Sequence, residues 1–175
     1  MVESTISMCL EDLSSAVQRS ASSIKDLNDK VFERYLISKY NSRLMASSNE
    51  KAVLLARDLM NEVDASSISE FVLLAPSGNC NDKNIEKILK SVGIDFRMDQ
   101  CLKTRVKREV SNERSVLDSL VRVRNDLAHG NRAFSEVGKD STAIDLRSTF
   151  SLAVDYLEVV ISHFEDYIQD KGYLC

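Results

Sequence analysis

Helix breakers are scarce in this chain: five glycines and one proline among 175 residues leave few places where a helix must stop, so long helices are expected. No segment shows the two-residue alternation of a half-buried strand, and there is no internal repeat or low-complexity tract. The four cysteines, Cys9, Cys80, Cys101 and Cys175, lie far apart without a Cys-x-x-Cys pair. That spacing argues against a zinc site or a disulfide framework and fits a reducing cytosol. No stretch approaches the roughly 18 apolar residues of a membrane span, and Met1 to Leu10 carries Glu3 in place of an apolar run flanked by basic residues. A cytoplasmic protein with no membrane partner is the expectation. At 175 residues, one domain spanning 1–175 can bury a core without help from disulfides or metals.

An excess of positive charge is missing too. The net charge of −4 argues against a protein that grips nucleic acid with its whole surface. The charge is unevenly spread, however. From Arg97 to Arg132 nine basic residues stand against five acidic ones, a local +4 that leaves −8 elsewhere. Such a basic third is either a phosphate-binding face or an ordinary solvated helix surface.

What the chain does contain is helical periodicity. Ile6, Leu10, Leu13, Val17, Ser20, Ile24, Leu27 and Val31 recur in alternating steps of four and three, a heptad seam with Ser20 as its weak position. Phe32, Tyr35 and Ile37 extend it, which predicts one long helix to about Tyr40. Ser47, Ser48 and Asn49 start a second helix with Val53, Leu54, Leu55, Leu59 and Val63 as its stripe. The segment Ser66 to Leu74 reads as a short helix ended by Pro76, Ser77, Gly78 and Asn79. Asn81 or Asp82 caps the next helix, with Ile85, Ile88, Leu89 and Val92 inward and Gly93 as its stop. Ile94 to Phe96 is a short extended link. A basic helix follows over Met98 to Glu109. Ser111 or Asn112 then caps one that buries Val116, Leu117, Leu120, Val123 and Leu127 and stops at Gly130. Residues Asn131 to Asp140 read as a loop. Ser141 or Thr142 opens the last helix, with Phe150, Val154, Leu157, Ile161, Phe164 and Ile168 as its seam. The sum is an all-α helical bundle with long N- and C-terminal helices and shorter helices between.

The chemistry-bearing segment is Arg122-Val123-Arg124-Asn125-Asp126-Leu127-Ala128-His129-Gly130-Asn131, at the end of one of these helices. Asn125 and His129 are four apart and share a face, whereas Arg124 lies about 140° around an ideal helix from His129. A histidine can take or give a proton near neutral pH, and an arginine beside it can stabilise charge on a phosphorane. The pair therefore suits attack of a ribose 2′-hydroxyl on its own phosphate. The alternative on residues alone is structural: His129 as a C-cap, and Arg124 paired with Asp126 or Glu113. His163, beside Phe164, reads as a packed or surface histidine. Glu136 in the loop is a candidate for bonding motif backbone, and Glu33 and Arg34, near Tyr35, for facing the motif.

Arg124-Asn125-x-x-x-His129, followed by Phe134-x-Glu136-x-Gly138, resembles the signature of the HEPN superfamily, specifically its stand-alone bacterial endoribonucleases. The resemblance implies a HEPN-like helical bundle that dimerises so that two motifs face one another across an RNA cleft. It also implies metal-independent cleavage without a cofactor, leaving 2′,3′-cyclic phosphate and 5′-hydroxyl ends. Arg124, Asn125 and His129 would be catalytic: His129 as acid or base, Arg124 on the scissile phosphate, and Asn125 orienting His129 or binding phosphate. Substrate-binding candidates are Arg122, Asn131 and Arg132 beside the motif and the run Lys103, Arg105, Lys107 and Arg108. Members of this size commonly act as toxins or in phage defence, so an antitoxin or defence-system partner is implied. Some toxins restrained by nucleotidyltransferase antitoxins carry tyrosine two residues after the histidine. This chain has Asn131 there, so that pairing is not carried over. Two other readings stay open, a non-catalytic HEPN adaptor that binds a protein or nucleotide and a coiled-coil structural protein.

Overall fold

A computed structural model describes residues 2–44, 49–63, 68, 71–73, 80–108, 115–139 and 142–175. The helices are α1 (Val2–Ser20), α2 (Asp29–Leu44), α3 (Asn49–Val63), α4 (Asp82–Ser91), α5 (Gln100–Val106), α6 (Val116–Ala128), α7 (Phe134–Lys139) and α8 (Ala143–Gln169), with a 3-10 turn at Ile24–Asp26. No strand occurs among the described residues, where Leu27 and Leu174 form an isolated bridge. No helix there is long and apolar enough to cross a membrane. The fold is all-α, as the sparse breakers and the periodicity require.

The core is built where α1 lies along α8. Ile6, Leu10, Leu13 and Val17 meet a face of α8 that buries Leu152, Ala153, Tyr156, Leu157, Val160 and Phe164. The buried face of α8 is rotated from the seam expected. Leu157 and Phe164 are inside, but Phe150 is 59% exposed and Val154, Ile161 and Ile168 are half-buried. Apolar residues at successive positions, such as Leu152 and Ala153 or Tyr156 and Leu157, leave the period clear and the phase set by the neighbouring helices.

The long first helix is in fact two. The chain breaks after Ser20, the weak seam position, because local polar groups offer the backbone an alternative to helix. The amides of Ser22 and Ser23 donate to Asp26, which makes Ser23 and Asp26 a capping box. Asn28 then accepts from the amide of Val31 and starts α2. The seam residues Ile24, Leu27 and Val31 remain buried across the break, so the apolar pattern reported burial correctly and helix continuity wrongly. The C-terminal segment closes over this corner. The amide of Asn28 donates to Tyr173 O at 2.9 Å, that of Cys175 to Asp26 O at 2.9 Å, and the Tyr173 hydroxyl to Ser20 at 3.0 Å.

Residues 71–73 are not helical, where a short helix was expected. Phe71 and Leu73 are buried with Val72 outward. Side chains on two helices hold this strip: Ser14 accepts from the Leu73 amide, Gln18 donates to Phe71 O, and Ser38 donates to Val72 O. The expected turn at Pro76 to Asn79 and the caps Ser47, Ser48, Ser111, Asn112 and Ser141 lie outside the described residues. Helix α5 is shorter than expected, beginning after Asp99, which caps it. Helix α7 replaces part of the expected loop. All four cysteines are free thiols.

Helices α2 and α3 are joined by Glu62, whose carboxylate meets Tyr35, Tyr40 and the Lys39 ammonium. Burial pushes the Glu62 carboxyl up, but the bonds from Lys39, Tyr35 and Tyr40 outweigh it and hold it below its ordinary value. A carboxyl lowered on folding contributes stability above its unfolded pKa of about 4.3 and loses it as pH falls through the folded value. Acid titration of unfolding free energy is expected to show a loss below about pH 4.3 that Glu62→Gln diminishes; an unchanged profile would rule this linkage out.

Candidate active site

Helix α6 is fixed at its start by a reciprocal cap with α4. Ser115 caps α6, accepting from the Asp118 amide, and donates its hydroxyl to the buried Asp82 carboxylate at 2.6 Å. Asn81 caps α4 and donates to Asp118 at 2.9 Å. Each helix start thus supplies the partner for the other. Ser115→Ala removes a cap worth about 1 kcal/mol and takes a donor from a buried carboxylate, a further 1–3 kcal/mol or so. A combined loss of about 2–4 kcal/mol is expected in urea unfolding; a loss under about 1 kcal/mol would show that the cross-cap contributes only its helix-capping share.

At the other end of α6 the motif stands open. His129 is the C-cap, and Gly130 follows at φ +70°. The Gly130 amide donates to Leu127 O and the Asn131 amide to Asp126 O, the paired bonds of a Schellman turn, in which the left-handed position favours glycine. His129 is exposed, and among the described residues nothing hydrogen-bonds its ring.

The Arg124 guanidinium splits its donors between two acceptors, Asn125 Oδ1 at 2.9 Å and Glu3 Oε2 on α1 at 3.0 Å. The structural alternatives are resolved differently from either expectation: Asp126 is taken by Arg122 at 3.7 Å, Glu113 lies outside the described residues, and Glu3 from 121 positions away is the partner. Nothing in local sequence pointed to Glu3. Packing of α1 against the bundle brings it there. Cys80 is buried near this pair: burial raises its thiol pKa, Glu3 adds to the rise and Arg124 opposes it.

The other candidates fall into two groups. Asn131 and Arg132 follow the motif directly, Asn131 exposed and Arg132 half-buried. Glu136 accepts from the Ala133 amide at 3.0 Å and caps α7, a structural role. The basic run lies on and just after α5. Arg105 pairs with Asp155 on α8 and Lys107 with Glu86 on α4, while Lys103 lines a cleft to which the motif contributes nothing and Arg108 is exposed. Glu33 pairs with Lys30 on α2, which packs on α3 and α4. His163 is packed: its Nε2 accepts from the Arg97 amide at 3.2 Å and its Nδ1 lies 2.8 Å from Val159 O.

The segment that leaves the motif is apolar and uncovered. Phe134 and Ile144 are each 80% exposed, and Leu146 and Phe150, four apart on one face of α8, are 52% and 59% exposed. The motif helix itself buries only Val116 and Leu117 fully; Leu120, Val123 and Leu127 are half-buried. Among the described residues no group of three His, Cys, Asp or Glu side chains is placed to hold a metal ion.

A family model described as HEPN_MAE_28990-like HEPN matches residues 1–173. No curated protein and no solved structure matches the chain.

Proposed function

This chain belongs to the HEPN family, and we propose that it is a metal-independent endoribonuclease, a cytoplasmic toxin or phage-defence effector whose active site is completed by a second copy of the chain. The observation that carries the reading is the open end of α6, where an imidazole that has no hydrogen-bond partner among the described residues and a guanidinium both stand exposed. His129 moves the proton at the 2′-hydroxyl or the leaving oxygen. Arg124 stabilises the charge that gathers on the phosphate, and Asn125, already bonded to it, sets its direction. Asn131, Arg132 and Arg122 contact neighbouring phosphates. Lys103 and Lys107 line a cleft to which the motif contributes no residue.

Leu146 and Phe150, exposed on one face of α8, support the dimer together with the exposed Phe134 and Ile144, since apolar surface left open to water marks interaction sites. An antitoxin or other defence-system protein that covers the same face would restrain the enzyme.

One observation favours the adaptor reading: Glu3 neutralises Arg124 within the chain. The magnitude decides against it. Both side chains of this pair are substantially exposed, 63% and 44%, and such pairs contribute about 0–1 kcal/mol, so a phosphate can displace the carboxylate. The test is incubation of the purified protein with labelled RNA in excess chelator. Cleavage is expected; intact RNA across several sequences, with the dimer verified, would transfer the function to the adaptor.

A further inference from the structure

A second charged feature lies away from the motif, where the link after α4 passes between α2, α4 and α5. Lys30, Lys90, Arg97, Lys103 and Lys107 line one cleft of about 810 Å³. The only carboxylates in its lining are Glu86 and Asp95. Lys107 is paired with Glu86 at 2.9 Å and Arg97 with Asp95 at 2.9 Å, and Lys30 takes Glu33 from its own helix. Lys90 and Lys103 have no partner among the described residues. Two unneutralised ammonium groups thus share one concavity on a protein whose net charge is −4. Like charges held together without a counter-charge repel, and a cleft focuses their field toward an incoming anion. The volume is that of a small-ligand site, which typically spans about 300–1,000 Å³. Ile94, Phe96 and Met98 give it an apolar side.

We propose that this cleft binds a small ligand bearing two or more linked phosphates, supplied either by a nucleotide or by an inorganic oligophosphate. Linked phosphates match ammonium groups that line one cleft: Lys90 comes from α4 and Lys103 from α5, and Lys30 and Lys107 can exchange the exposed Glu33 and the part-exposed Glu86 for ligand oxygens. An RNA strand bound for His129 is a poorer match, because no motif residue enters the lining. The proposal does not depend on the ribonuclease reading, since binding is measured without cleavage.

The test is isothermal titration of the full-length chain, at physiological salt, with ATP and separately with tripolyphosphate. Both are expected to bind, and Lys90→Glu and Lys103→Glu each to weaken binding at least tenfold. Lys83→Glu, an exposed α4 lysine outside the lining, is expected to leave it unchanged. Equal affinity for the two probes assigns recognition to the phosphates alone; tighter ATP binding adds the base against the apolar side. Absence of binding by both probes at millimolar concentration overturns the proposal, as does an equal loss in Lys83→Glu. If neither probe binds but labelled RNA does, and Lys90→Glu weakens the RNA, the cleft is a strand contact and the proposal is wrong.

Discussion

His129→Ala is expected to lower the RNA cleavage rate by about 10²–10⁴-fold, the usual contribution of a positioned acid or base, without lowering thermal stability. The side chain is exposed and makes no hydrogen bond among the described residues, so its removal empties no packed space. Arg124→Ala is expected to cost about 10²–10³-fold, as for loss of one charge-stabilising donor in other acyl and phosphoryl sites. Its ion pair with Glu3 adds at most about 1 kcal/mol of stability. Glu3→Gln separates the two roles open to that carboxylate. If Glu3 only competes with phosphate for Arg124, the variant retains cleavage and its KM falls. If it aims the guanidinium, kcat falls with KM little changed. Equal cleavage by wild type and His129→Ala would remove the histidine from the mechanism altogether.

The double variant Leu146→Asp/Phe150→Asp is expected to elute as a monomer and to lose at least about 100-fold in activity, with its motif untouched, a size in keeping with loss of part of a composite site. In the single chain both side chains already face water, so the charges add no strain to the monomer. Across an isologous interface each residue appears twice. Burying a large apolar side chain yields about 1.5–3 kcal/mol, and the buried carboxylates that replace it carry a desolvation penalty of several kcal/mol each. Light scattering coupled to size exclusion reads the mass, and a fluorescent RNA substrate reads the activity. A dimer that survives both charges, or a fully active monomer, would show that this face is not the one that completes the site.

Much of this protein was legible in the sequence because its information is local. The caps Asn81 and Thr142 follow from side chains bonding backbone three residues on, and the stops at Gly93 and Gly130 from the left-handed backbone that glycine accepts. What the sequence hid depends on competition or on distance. The break after Ser20 arises because Ser22, Ser23 and Asp26 compete for backbone amides that a continuous helix would use. The cap of α6 is Ser115, whose hydroxyl also reaches Asp82, a partner 33 positions away that no local pattern marks. Residues 71–73 do without a helix because Ser14, Gln18 and Ser38, far away in the chain, bond their backbone. In the candidate site, Arg124, Asn125 and His129 were singled out by their chemistry and by the resemblance of their motif, whereas the Glu3 partner of Arg124 was not, since a contact spanning 121 positions leaves no periodic trace. The basic run was noticed as a charge excess, but its pairs with Asp155 on α8 and Glu86 on α4 come from packing that the local sequence does not record.

The most direct measurement of the central claim is the chemical identity of the RNA ends left by the wild-type protein in excess chelator, read by mass spectrometry. Attack by the 2′-hydroxyl with His129 as proton carrier predicts 2′,3′-cyclic phosphate on one fragment and 5′-hydroxyl on the other. Products with 5′-phosphate and 3′-hydroxyl ends would contradict it, because they require an external water as nucleophile.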